Sequence, residues 1–156
     1  MIPREIATII IKLRKQFPVI TLTGPRQSGK TTLLKSIYTD LPYVSLEDID
    51  IRTAAINDPR GFLNNFPNGA VLDEVQRNPA LFSYIQGLVD KNKEIHFVLS
   101  GSQNFLLLEN ISQTLAGRAA VLKLLPFSIS ELENEKLVPN SYEQLIFTGM
   151  YPGIYD

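Results

Sequence analysis

The sequence predicts an α/β domain, a mostly parallel β-sheet covered by helices on both faces. Two observations carry this. Five short apolar runs alternate with longer stretches of helical period, so successive strands need crossover connections and run parallel. The runs are also nearly continuous in apolar residues, as strands buried on both faces are. A chain of 156 residues accommodates one such domain with a sizeable core, so 1–156 is read as a single unit.

Ile6, Ile9, Ile10, Leu13 and Phe17 recur at helical spacing and predict a surface amphipathic helix. PVITLTG (18–24) is the first strand, stopped by glycine, and Lys30 to Tyr38 the helix after it. YVSLE (43–47) is the second strand. Residues 48–66 form one or two short helices broken around Asn57-Asp58-Pro59, and GAVLDE (69–74) is a third strand ending in acid. In NPALFSYIQGLVDKN, Asn78 is the expected N-cap, Pro79 the first helical residue, and Leu81, Ile85, Leu88 and Val89 the apolar face. EIHFVLSG (94–101) is the fourth strand, with a helix running on to about Ala116. AAVLKLLPF (119–127) is the fifth, Ser128 then opens a helix with a capping pattern, and Tyr142 to Phe147 form a last helix.

Composition excludes several classes. Fifteen basic and sixteen acidic residues leave a net charge of -1, so there is no global pull toward nucleic acid or anionic membrane. The absence of cysteine excludes disulfides and thiolate metal sites, and fits a cytoplasmic protein. No apolar run is long enough to span a membrane, and the N-terminus makes a poor signal peptide. His96, inside a strand run, reads as a packed or edge residue rather than a ligand. The closing TGMYPGIYD does not resemble a stop, and the chain reads as the front part of a longer protein.

The chemistry concentrates in Gly24-Pro25-Arg26-Gln27-Ser28-Gly29-Lys30-Thr31, a complete G-x-x-x-x-G-K-[ST] pattern between a strand and a helix. Glycines let the backbone wrap with its N–H groups pointing at phosphate oxygens, and the following helix adds its positive end. Lys30 is expected to reach the β- and γ-phosphates, Thr31 to give a hydroxyl to Mg²⁺, and Thr32 to complete the loop. Asp73 and Glu74 stand where ligands sit in open parallel sheets, at the C-terminal end of the third strand. Asp73 is the expected Mg²⁺ partner, often through water, and Glu74 the general base that polarises the attacking water. Ser100-Gly101-Ser102-Gln103 closes the fourth strand; Ser100 or Ser102 could orient that water or contact the γ-phosphate, although Ser102 also suits a helix cap. Read blandly, the two acids are a solvated strand end and the loop a tight turn.

With these motifs aligned, the sequence resembles a prokaryotic ATPase family of the AAA+ class. The resemblance rests on GPRQSGKTTLL (24–34), VLDEVQRNPALF (71–82), VLSGSQNFLL (98–107), LAGRAAVLKLLPFSISEL (115–132) and TGMYPG (148–153), which cover most of the chain in family order. The string from 115 to 132 discriminates best, because generic P-loop proteins do not share it. The resemblance implies a P-loop NTPase three-layer α/β/α sandwich, with a Walker A loop, a Walker B strand and a five-stranded parallel sheet of order 5-1-4-3-2. It also implies ATP, Mg²⁺ and hydrolysis by water. Arg118, just before the fifth strand, would reach a neighbouring subunit's γ-phosphate in a homo-oligomer; a surface arginine is the plainer alternative. Arg26 is a second candidate for phosphate or cross-subunit contact. Family members typically continue into a nuclease-like or winged-helix-like C-terminal domain, so any effector or DNA-related role would belong there.

Three other readings compete. A GTPase is disfavoured, because NKEI (92–95) lacks the aspartate of N-K-x-D and no D-x-x-G follows the loop. A small-molecule P-loop kinase is disfavoured by Glu74 beside Asp73 and by the lack of an arginine-rich lid. A slow nucleotide-gated switch remains, in which Gln76, Arg77 and Asn104 couple the γ-phosphate to a partner surface or stand as ordinary exposed polar residues.

Overall fold

A computed structural model describes residues 2–102, 109, 111, 113–139 and 141–155. In chain order these residues form α1 (Ile6–Arg14), β1 (Val19–Gly24), α2 (Lys30–Ile37), β2 (Tyr43–Ser45), α3 (Ile49–Asn57), α4 (Pro59–Asn64), β3 (Val71–Asp73), α5 (Leu81–Lys91), β4 (Phe97–Ser102), β5 (Ala119–Lys123), α6 (Ile129–Asn134) and α7 (Tyr142–Thr148). The helix expected up to Ala116 falls largely outside the described residues, as do Gln103 and Asn104.

The strands form one all-parallel sheet of order β2-β3-β4-β1-β5, which is 5-1-4-3-2 read from the other edge. Side chains of a strand alternate between its faces, so each central strand feeds two cores. Val19, Leu72, Phe97 and Leu99 pack with residues of α3, α4 and α5 on one face. Ile20, Leu22, Val71 and Val98 pack with Ile10 of α1 and Leu33 and Leu34 of α2 on the other. A small third cluster of Phe127, Leu132 and Leu145 holds the segment after β5.

Local chemistry sets the element ends. Asp58 separates α3 from α4: its N–H donates to the Ala54 carbonyl at 3.0 Å, and its Oδ1 accepts from Gly61 N–H at 2.8 Å. Ser128 and Glu131 form the expected capping box on α6. Asn78 corrects the reading of α5, which starts at Leu81 rather than Pro79. Asn78 is buried, and its Nδ2 donates to the Ala55 carbonyl in the last turn of α3 at 3.0 Å. An α3 carbonyl left unpaired by its own helix claims the side chain that would have capped α5. The strands β2, β3 and β5 are shorter than expected, and His96 lies just before β4, partly buried.

Candidate functional site

The parallel arrangement collects the C-terminal ends of β1, β3 and β4 on one edge of the sheet. Register then decides which side chains meet. Leu72 of β3 is level with Leu99 of β4, so the next residues, Asp73 and Ser100, are side by side. The Ser100 hydroxyl donates to Asp73 Oδ1.

Between β1 and α2 the chain must turn tightly. Gly24 has φ 154°, and a Cβ there would lie 2.1 Å from the backbone oxygen of Leu124, so only glycine fits beside β5. Gly29, at φ 89°, is the residue from which α2 starts. Gln27 takes a left-handed conformation at φ 62° between them, and Ser28 Oγ donates to the Pro25 carbonyl at 3.0 Å. Lys30 is buried, its Nζ donating to the carbonyls of Gly24 at 3.0 Å and Pro25 at 2.8 Å. Burial lowers its pKa, against the pull of Glu74 and Asp73, which raise it.

Asp73 is the hub. Its carboxylate accepts from Ser100 and Tyr43, from Thr31 Oγ1 at 3.1 Å, and from the backbone N–H of Glu74 at 3.0 Å. Burial on its own would raise its pKa, but these donors outweigh it and hold the carboxyl below the usual range. The strand ends there, and Glu74 adopts a left-handed conformation at φ 54°, uncommon for a residue with a Cβ. Gln76 Nε2 donates to Glu74 Oε2.

These residues face a cleft of about 980 Å³ lined by Arg26, Gln27, Gly29, Lys30, Thr31, Thr32, Asp73 and Glu74. Three contributions were not foreseen. Tyr43 places its hydroxyl on Asp73, and burial, then that hydrogen bond, pushes the phenol above its ordinary value and keeps it a donor. Its contact follows from the pairing of Tyr43 with Val71, which no spacing in the sequence announces. Glu47 lines the cleft and pairs with Arg77 at 3.7 Å. Residues 151–154 form a further wall of the cleft; in the sequence TGMYPG carries part of the family resemblance and gives no sign of a place in the site.

Ser100 and Ser102 separate. Ser100 is fully buried against Asp73, whereas Ser102 is level with Gly24 at the cleft end of β4. Arg118 lies elsewhere. It precedes Ala119, which pairs with Val19, so it stands at the opposite end of β1 from the loop, roughly 17 Å away along the strand. There it grips Asp90 of α5 through two hydrogen bonds, at 2.6 and 2.9 Å. A second cleft, of about 450 Å³ between α4 and α5, contains none of the loop residues or paired acids.

Mg²⁺ fits the donor set. Among the described residues no cluster of three or more His, Cys, Asp or Glu side chains could hold a metal alone. Thr31 Oγ1 and the Asp73 carboxylate are adjacent hard oxygen donors beside a phosphate-type loop. Such a pair suits an ion that takes one or two protein oxygens and completes its shell with waters and phosphate.

The AAA domain family matches residues 16–133, from the segment before β1 through α6. The chain belongs to this AAA domain family. Uncharacterized proteins of Mycobacterium bovis and Mycobacterium tuberculosis are each 30% identical to it over 131 residues, which is 83% of this chain and 30% of theirs. The chain thus spans under a third of those curated relatives. The Walker-type ATPase of Pyrococcus abyssi shares the fold at TM-score 0.67 and 17% identity, over 98% of this chain and 65% of that one. A signal transduction ATPase with numerous domains from Pyrococcus horikoshii does so at TM-score 0.57 and 13% identity, over 97% of this chain and 28% of that one. The AAA domain is therefore of nucleotide-binding ATPase type, with a P-loop fold. Among the described residues no helix is long and apolar enough to cross a membrane.

Proposed function

We propose that this AAA domain binds ATP with Mg²⁺ and hydrolyses it, gating or driving a partner or effector domain from the cytoplasm. The observation that supports this best is the hub at Asp73, where the loop's Thr31, the strand-end Ser100 and the backbone of Glu74 converge on one carboxylate. In this reading the backbone N–H groups of residues 26–32 and the Lys30 ammonium hold the phosphates, Pro25 having no N–H to give. Lys30 exchanges its bonds to the Gly24 and Pro25 carbonyls for phosphate oxygens. Thr31 and Asp73 would hold Mg²⁺, which would supply neutralisation of phosphate charge when bound. Glu74 takes the proton of the attacking water, while Gln76 holds its carboxylate in place. Ser100 positions Asp73, and Ser102 is the better placed of the two to sense the γ-phosphate. Arg26, exposed on the rim of the cleft, contacts phosphate or a neighbouring subunit.

The test is phosphate release from ATP by the purified chain, with and without Mg²⁺. Turnover that chelation stops is expected. Tight binding with no turnover in Mg²⁺ would replace the hydrolase with the slow nucleotide-gated switch. Transfer to an added small-molecule acceptor in place of water would make the domain a kinase.

Arg118 is too far from its own loop to act there, so a role in chemistry requires assembly of copies. Its bridge to Asp90 is about one-third exposed on each side, and such pairs are easily exchanged for another anion. Mixing Arg118→Ala with Glu74→Gln subunits should then restore turnover that neither has alone. No recovery would leave Arg118 as the local partner of Asp90.

A further inference from the structure

Arg4 is an N-terminal residue with no place in the loop motif, yet its side chain is only 7% exposed and that of its partner Glu131 only 6%. Five groups surround its guanidinium, one of them the Pro126 carbonyl, which accepts from Nη2 at 3.3 Å. Nε donates to Glu131 Oε1 at 3.1 Å, Nη1 to the Ser28 carbonyl of the phosphate loop at 2.9 Å, and Nη2 to the Leu125 carbonyl at 2.6 Å. The Phe127 ring lies beneath it, 4.7 Å from the guanidinium carbon to the ring centroid.

These contacts lead to the phosphate loop, to the residues that flank 151–154, and to α6. Ser28 precedes Gly29, and an added Cβ at Gly29 would meet both Arg4 Nη1, at 3.7 Å, and Pro152 Cγ, at 3.4 Å, so the three residues come together at one point of the loop. Phe127 N–H donates to the Met150 carbonyl at 2.8 Å, and its ring meets Tyr155 edge-on at 5.9 Å. Glu131 also accepts from the backbone of Glu5 and Ser128, each at 2.9 Å, so it is locked by α6 and by the N-terminal segment at once. A small cavity of about 50 Å³ bounded by Arg4, Gly29, Thr32, Phe127 and Pro152 lies directly behind the loop. The loop and the 151–154 wall thus belong to different stretches of chain, and Arg4 joins them.

We propose that Arg4, held by Glu131 and Phe127, is a positioning residue that sets the phosphate loop against the 151–154 wall, so that nucleotide affinity depends on a side chain outside every recognised motif. The proposal rests on the nucleotide-binding reading above. Its physical basis is the planar fork of arginine, which reaches the carboxylate, the loop carbonyl and the Leu125 carbonyl together. A lysine keeps the charge for Glu131 but cannot span all three.

The experiment titrates Mg-ATP into the wild-type chain, Arg4→Lys and Phe127→Leu, with thermal unfolding of each without nucleotide. Arg4→Lys should weaken affinity about tenfold, the scale of one lost charge-assisted hydrogen bond. Phe127→Leu, which keeps the ion pair and removes the ring beneath it, should weaken affinity in the same direction by a smaller factor. Both effects should persist at temperatures where each variant is fully folded, which a purely structural role would not produce. Affinity within twofold of wild type in the folded variants would overturn the proposal, and Phe127→Leu alone decides if Arg4→Lys does not fold. A wild-type chain that binds no nucleotide would overturn the functional reading and this proposal with it. Binding by wild type with unchanged variants would overturn only this one.

Discussion

Lys30→Ala is expected to raise the Kd for Mg-ATP by about 100-fold or more, to the point where calorimetric titration records no binding. The lysine is the one ammonium in the loop, and it is buried at the first turn of α2, beside where phosphate oxygens would lie. Its bonds to the Gly24 and Pro25 carbonyls leave it already desolvated and oriented, so little ordering opposes binding. Burial lowers its pKa, and a phosphate anion nearby would restore the preference for the charged form. Alanine removes that charge and takes the lysine donor from the Gly24 carbonyl, while the Pro25 carbonyl keeps Ser28 Oγ, at a stability cost of about 1–3 kcal/mol. Affinity should therefore be measured below the unfolding transition of the variant. Unchanged affinity would show that the loop is a structural turn.

Glu74→Gln should do the opposite: keep ATP bound and stop its hydrolysis. Positioned general bases contribute roughly 10²–10⁴-fold, so turnover should fall by that order while Kd stays within a few-fold. Glutamine is isosteric, keeps an acceptor oxygen for Gln76 Nε2, and places the same demand on the left-handed backbone at this position. The loop, Thr31 and Asp73 are untouched, so a loss of binding would mean that Glu74 holds nucleotide rather than activating water. Equal turnover in both proteins would remove the general-base assignment, and single-turnover phosphate release is the measurement that separates the cases.

How far the site could be read from the sequence varies from residue to residue. The G-x-x-x-x-G-K-[ST] pattern works through backbone conformation and one charge, both encoded within eight consecutive residues, so it is visible before any fold is known. The Asp73–Glu74 pair is visible for a related reason: an apolar run ending in acid is a local signal of a strand end. The meeting of Ser100 with Asp73, and the separation of Ser100 from Ser102, required the register of β3 on β4. Asn78 misled because its composition suits a helix cap, and only the packing of α3 beside it supplied a competing acceptor.

By itself the sequence determined the alternation of buried strands with helices and the phosphate-type loop, because short-range periodicity and backbone chemistry set both. The resemblance then anticipated the sheet order and the AAA family. Tertiary structure alone decided that Tyr43 shares the Asp73 carboxylate, that residues 151–154 close the cleft, that Arg118 sits at the far end of the sheet, and that Arg4 braces the loop. Each of these joins residues far apart in the chain through register, burial or a single long side chain. Such contacts leave no periodic trace, because their energy depends on where two distant backbones meet rather than on either stretch of sequence.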